Sequence, residues 1–140
     1  MITREQILSA ARECLGTPFH HQGRICKVGL DCIGLMVYIA KKLNLFFYDN
    51  TTYSREPMPG ILIPELEKVL TRVSPEKMKA GDVLVFWMNK KTKFPQHIGI
   101  CTDRGMIHTW AGVKKVVEHK FSDRWKERLL YVFRFPGVES

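Results

Sequence analysis

Cys32 stands directly after Asp31 at the head of an apolar run, and His97 and His108 fall on two short β-rich runs later in the chain. A thiol attacks a carbonyl only as its thiolate, and a helix N-terminus stabilises that anion through free N–H groups and its positive dipole end. The N–H of a residue so placed also points toward the oxygen on which charge develops. One helix start can therefore supply a nucleophile and part of an oxyanion hole. Period-two alternation in QHIGICT puts His97, Gly99 and Cys101 on one face of a strand, with Ile98 and Ile100 on the other, while Met106 and His108 share a face in GMIHTW. Asp103-Arg104-Gly105 joins the two strands as a hairpin. A base on one strand, His97, and an orienting group on the next, His108, complete a nucleophile, base and orienter set. Each of these residues has a plainer reading: Cys32 as one more small core residue, each histidine as a hydrogen-bonded strand group. The combination is what points to chemistry.

The elements that must position them can be read from period and punctuation. Thr3 and Gln6 make a capping box, and Ile7, Leu8, Ala11, Cys14 and Leu15 follow at helical spacing until Gly16, which predicts a helix over 3–15. Cys14 falls on the apolar stripe as a structural thiol. Residues 16–31 read as a loop. Cys32, Leu35, Met36, Ile39, Ala40 and Leu43 then recur with a helical period, so Cys32 is expected to be the first inward-facing residue of a second helix. Residues 44–60 are turn-rich, and Pro64 opens a short helix with Leu66, Val69, Leu70 and Val73 inward. Beyond it come β-rich runs at 82–88, 97–102, 105–110, 114–119 and 129–135. Helices followed by an antiparallel sheet predict an α+β fold, and the 140 residues predict one domain, 1–140. Asn89 to Lys93 is expected to be a solvated hairpin loop.

No apolar stretch is long enough for a membrane span and the N-terminus lacks a secretory core, so no membrane insertion is expected and export would need another carrier. Four cysteines without such a signal predict free thiols. The formal charge of +8 favours a polyanionic partner.

The stretch GTPFHHQGRICKVGLDCIGLMVYIAKKL, residues 16–43, resembles the first signature of the NlpC/P60 family, in which a G-T-P-aromatic loop leads to D-C-x-G-L at a helix start. GDVLVFWMNKKTKFPQHIGICTDRGMIHTW, residues 81–110, resembles its second: a G-D strand, then H-x-G-I, then an I-H strand. The H-H-Q-G loop and D-C-I-G-L box are most similar to the phage-encoded, tail-associated cell-wall peptidases of the family. This resemblance implies a papain-like fold without cofactor or metal, and cleavage of peptidoglycan stem peptides next to D-glutamate by a thioester mechanism. It implies Cys32 as nucleophile, His97 as base and His108 as orienting residue. Asp31 matches a position that holds the substrate's free amine, a role compatible with helix N-capping. The chain departs from the pattern at Phe19, where many relatives have Tyr, and at Ile33, where many have Ser. His20, His21, Gln22 and Arg24 are candidates for the missing polar contacts, with Phe19 and His21 retained as substrate-binding positions. Phage tail-tip proteins are implied as partners, with the virion and the host periplasm or cell wall as the place of action.

Other readings differ in class. A metal site from His20, His21, Cys26 and Cys32 fits no usual zinc spacing. Cys26 could pair with Cys32 as a redox switch. Lys90, Lys91, Lys93, Lys114, Lys115 and Arg124 suggest a nucleic-acid module, but no recognition signature accompanies them, and no nucleic acid is expected as a partner. A structural tail-tip component with weak or assembly-gated activity, or an acyltransferase on the same fold, would keep the motifs.

Overall fold

A computed structural model describes residues 1–45, 49 and 62–139. Helix α1 (Arg4–Glu13) starts where the capping box places it: Thr3 Oγ1 accepts the Gln6 N–H at 3.1 Å, and Gln6 Oε1 accepts the Thr3 N–H at 2.8 Å. Its apolar stripe, Ile7, Leu8, Ala10, Ala11 and Cys14, is buried. What reads as a loop over 16–31 contains a small antiparallel hairpin, β1 (Arg24–Ile25) and β2 (Gly29–Leu30), because two-residue strands carry no period to detect. Helix α2 (Cys32–Lys42) opens on Cys32, with Asp31 as N-cap.

The third residue of α2 explains why glycine follows the cysteine so closely. A Cβ on Gly34 would sit 2.0 Å from the Gly23 carbonyl oxygen, so only a bare backbone lets the loop close over the helix start. Gly34→Ala is expected to cost about 2–4 kcal/mol, since neither backbone can move away without breaking the cap. An unfolding free energy within about 0.5 kcal/mol of wild type, the range typical of surface changes, would contradict that placement.

Helix α3 (Leu62–Glu67) includes Pro64 within its first turn, and Leu66 and Leu70 are buried as expected. Val73 is not part of it. That residue belongs to β3 (Thr71–Val73), an edge strand paired with β8, because pairing partners outweigh a continued helical period. Apart from residues 44, 45 and 49, the turn-rich stretch 44–60 lies outside the described residues.

The remaining strands are β4 (Val83–Trp87), β5 (Pro95–Thr102), β6 (Gly105–His108), β7 (Val117–His119) and β8 (Leu129–Arg134). They form an antiparallel sheet in the order β3-β8-β4-β5-β6-β7. The architecture is α+β. Asn89 to Lys93 is an exposed turn between β4 and β5. All five residues of β4 are buried because the sheet is covered on both faces. On one face Val83, Val85, Ile98, Ile100, Ile107 and Phe133 pack with α1 and α2. On the other, Leu84, Phe86, Cys101, Met106 and Val132 pack under Trp125 of a short helix, α4 (Asp123–Arg128). Six residues bearing one buried side chain give no amphipathic pattern, so α4 is silent in the sequence.

Candidate active site

Three elements meet at the candidate centre: the start of α2, strand β5 and the β6–β7 edge of the sheet. Asp31 is 4% exposed and its carboxylate is fully engaged. Oδ1 accepts the Gly34 N–H at 2.8 Å and the Arg24 guanidinium at 3.2 Å, and Oδ2 accepts the Gln22 N–H at 2.8 Å. Arg24 also reaches Asp49 at 2.9 Å. The N-cap role is therefore observed, and Asp31 holds the 20s loop to the helix as well. A substrate amine would have to compete with Arg24 for Oδ1.

With Gly34 capped, the thiol of Cys32 lies against the N–H groups of Cys32 itself, Ile33 and Ile98, all of which favour the thiolate. They do not win. Burial, reinforced by the neighbouring Asp31 charge, pushes the Cys32 pKa up to about 12. The thiolate stabilisation expected from a helix start is thus outweighed, because packing strips water from much of the half-buried side chain and an anion sits one residue away. His97 is 3% exposed, and burial pushes its pKa down to about 3. His108 is driven to about 2 by burial first, and then by His97 and His119. The resting pair is a neutral thiol and a neutral imidazole. Cys32 meets β5 at Ile98, the residue after His97, and no hydrogen bond joins its sulfur to the His97 ring.

His97 and His108 do come together, with Nε2 of the first 2.8 Å from Nδ1 of the second. They are diagonal neighbours. His97 pairs with Phe86 across β4–β5, and the Ile100↔Ile107 register puts His108 opposite Gly99. A Cβ on Gly99 would lie 3.2 Å from that of His108 and 3.1 Å from the Ile107 carbonyl oxygen, so glycine leaves the room into which the His108 ring leans. The row continues to a residue that sequence reasoning missed: His108 Nε2 is 2.7 Å from His119 Nε2 on β7. The signal was present, since 108 to 119 repeats the spacing of 97 to 108 on the next strand. Trp125 lies across all three rings, with centroids 5.8, 4.8 and 6.2 Å from His97, His108 and His119.

Of the substrate-binding candidates, Phe19 is half-buried, held by a bridge to Leu30 and by its N–H to the Lys114 carbonyl at 2.8 Å. His21 is half-buried in the same loop, and its carbonyl faces His20 Nδ1 at 2.9 Å. Cys26 is not placed as a partner of Cys32. Its sulfur touches the Cys14 thiol and lies 3.5 Å from the Glu13 carbonyl, because the β1–β2 hairpin packs on α2 and its turn, which carries Cys26, reaches the C-terminal end of α1. It also lines a surface cavity of about 640 Å³ with Glu13, Arg24, Ile25, Lys27 and Tyr38, which takes in none of Cys32, His97 or His108. Among the described residues no group of three or more His, Cys, Asp or Glu side chains is arranged to hold a metal ion, and none of the helices is long and apolar enough to cross a membrane.

The sequence profile of the NlpC/P60 family matches residues 16–134, from the loop before Asp31 to the end of β8. The chain belongs to the NlpC/P60 family. Gamma-DL-glutamyl hydrolase of Bacillus subtilis (strain 168) is 27% identical over 124 residues, which are 86% of this chain and 27% of that protein. The chain thus spans about a quarter of that curated relative. An NlpC/P60 protein from Bacillus cereus ATCC 10987 superposes with a TM-score of 0.72 at 18% identity, covering 94% of this chain and 40% of the other. RipD from Mycobacterium tuberculosis, described as a non-catalytic NlpC/p60 domain protein adapted to peptidoglycan binding, gives 0.61 at 16% identity, covering 94% and 95%. The NlpC/P60 fold is therefore common to this chain and to a protein without catalysis, and the site decides between them.

Buried neutral histidines make an acid-stability prediction. His97 and His108 have folded pKa values below their unfolded value near 6.5. The folded state then binds fewer protons, so their contribution is fully present above about pH 6.5 and is lost as pH falls toward 3. Each can contribute a slope of at most about 1.4 kcal/mol per pH unit, less for the second proton because the first repels it. Urea midpoints should fall steadily from pH 6.5 to 4.5, and more gently in His108→Asn. A flat wild-type midpoint over that window would show that the rings are not buried as neutral bases.

Proposed function

We propose that this chain is a cysteine endopeptidase that cleaves peptidoglycan stem peptides next to D-glutamate through a thioester on Cys32. The observation that carries this reading is a thiol at a helix N-terminus packed against the strand that bears His97, itself hydrogen-bonded to His108. Because His97 Nε2 is committed to His108, the other ring nitrogen, Nδ1, is the one available to a thiol proton. As a scissile carbonyl approaches, Cys32 Sγ attacks its carbon and His97 Nδ1 takes the proton. The oxyanion is stabilised by the N–H groups at the start of α2, which burial makes stronger than they would be in water. His97 then protonates the leaving amine, and in the second half it deprotonates the water that hydrolyses the thioester. Starting from neutral partners avoids stabilising a buried ion pair before substrate arrives.

The γ-D,L-glutamyl specificity in the relative's name supports a D-glutamyl bond. The charge of +8 suits adsorption to an anionic wall. The H-H-Q-G and D-C-I-G-L motifs support a phage tail setting, with tail-tip proteins as partners and the virion and host cell wall as the place of action. The test is mass spectrometry of soluble products after incubation with purified Gram-negative sacculi. Stem-peptide fragments ending at D-glutamate are expected. Their complete absence would shift the reading to an assembly-gated or structural tail component, which the missing Cys32–His97 hydrogen bond favours. Fragments extended by an amine or alcohol acceptor would instead identify an acyltransferase.

A further inference from the structure

His97, His108 and His119 are joined end to end, and the last ring is anchored on the backbone: His119 Nδ1 lies 2.8 Å from the carbonyl oxygen of Lys120. A carbonyl oxygen only accepts, so in a neutral row the His119 proton sits on Nδ1 and its Nε2 presents a lone pair. At 2.7 Å, His108 Nε2 must then carry a proton toward it, which leaves His108 Nδ1 as an acceptor. At 2.8 Å, His97 Nε2 must in turn donate to that nitrogen, which leaves His97 Nδ1 bare. Each bond direction dictates the next.

We propose that His119 is a positioning residue: through it the Lys120 carbonyl sets the tautomer of the whole row, so that the unprotonated nitrogen of His97 is the one not committed to His108. The sheet register makes the row rigid. His119 pairs with Met106 and His108 with Val117, so each ring leans diagonally to the next, as His97 does to His108. Trp125 covers the three rings and keeps water from offering His108 another partner. His108 is wholly buried and could not find one in solvent. When His97 Nδ1 takes a proton from the thiol, the Nε2–H bond to His108 already points the right way, and no bond in the row has to reverse. A ring lacking the His119 acceptor would let His108 carry its proton on Nδ1, facing His97, and His97 would then turn its own proton to the nitrogen needed as base.

The effect on turnover rests on the peptidase reading, but the tautomers do not. They are read directly from two-bond proton–nitrogen correlations of the imidazoles in 15N-labelled Cys32→Ala protein, which needs no activity. The expected pattern is Nε2–H for His97 and His108 and Nδ1–H for His119, with His108 becoming mixed in His119→Phe. On sacculi or stem peptide, His119→Phe should lower kcat by about 10- to 100-fold with KM unchanged, short of the ~10⁴-fold seen when the orienting group itself enforces a wrong tautomer. His119→Gln, whose amide oxygen can accept from His108 Nε2–H, should return kcat to within about threefold of wild type, since one acceptor is all the row requires. A proton on His108 Nδ1 in the wild-type row, or equal kcat in the Phe and Gln variants, would overturn the proposal. If no substrate is turned over, the peptidase reading fails while the ring spectra still decide this one.

Discussion

Cys32→Ala should lower kcat/KM on peptidoglycan stem peptides by about 10⁴- to 10⁶-fold, the range lost when a covalent nucleophile is removed from an otherwise intact site. The fold should survive, because Cys32 is the first residue of α2, its side chain is half-buried, and the cap that starts the helix belongs to Asp31. Cys32→Ser should be almost as inactive. A serine hydroxyl in the same surroundings is a far weaker nucleophile than a thiol, and His97 is too weak a base there to compensate. The checks are product release from a defined stem peptide, with unfolding midpoints measured beside it. Activity retained in Cys32→Ala at native stability would falsify the thioester mechanism and would leave a peptidoglycan-binding role as the better account.

The second large effect is expected at His97. Its replacement by alanine should cost about 10³- to 10⁴-fold in kcat/KM, in line with the loss of a positioned general base. The reason lies in the Cys32 pKa of about 12: without a base, very little thiolate forms at neutral pH. Activity in His97→Ala should therefore climb as pH rises toward 12, about tenfold per unit, while wild type stays flat over the same interval. Stability should change as well. His97 packs on Phe86 and Trp125 at 6.0 and 5.8 Å between centroids, and its removal leaves His108 Nδ1 without its donor. An unmet buried acceptor costs about 1–3 kcal/mol, so His97→Gln is the better comparison for separating chemistry from folding. His108→Ala should reduce turnover less than His97→Ala, because an orienting group can be partly replaced by packing. Equal and small losses at Cys32, His97 and His108 would remove the case for a triad.

Much of the scaffold was legible because it is written in local signals. The capping box at Thr3 and Gln6 begins α1, the acidic residue before Cys32 caps α2, and Asp103-Arg104-Gly105 turns β5 into β6. These depend on residues three or fewer apart, so a one-dimensional reading captures them. Elements too short to show a period were not legible: the β1–β2 hairpin, β3 and α4. Nor was the burial of β5 on both faces, since His97, Gly99 and Cys101 become interior only when Trp125 folds over them.

The family, the helix start that carries Cys32 and the two strands that carry His97 and His108 are all written in motif spacing and hydrophobic period, which act locally along the chain. The protonation chemistry and the side-chain partners emerge only once distant segments pack together. Burial, not helix position, set the neutral resting states of Cys32 and His97. Chain reversal brought Arg24 onto Asp31 and Cys26 onto Cys14. Sheet register extended the histidine row to His119. Desolvation and cross-strand register are sums over residues distant in the chain, and no local pattern carries them.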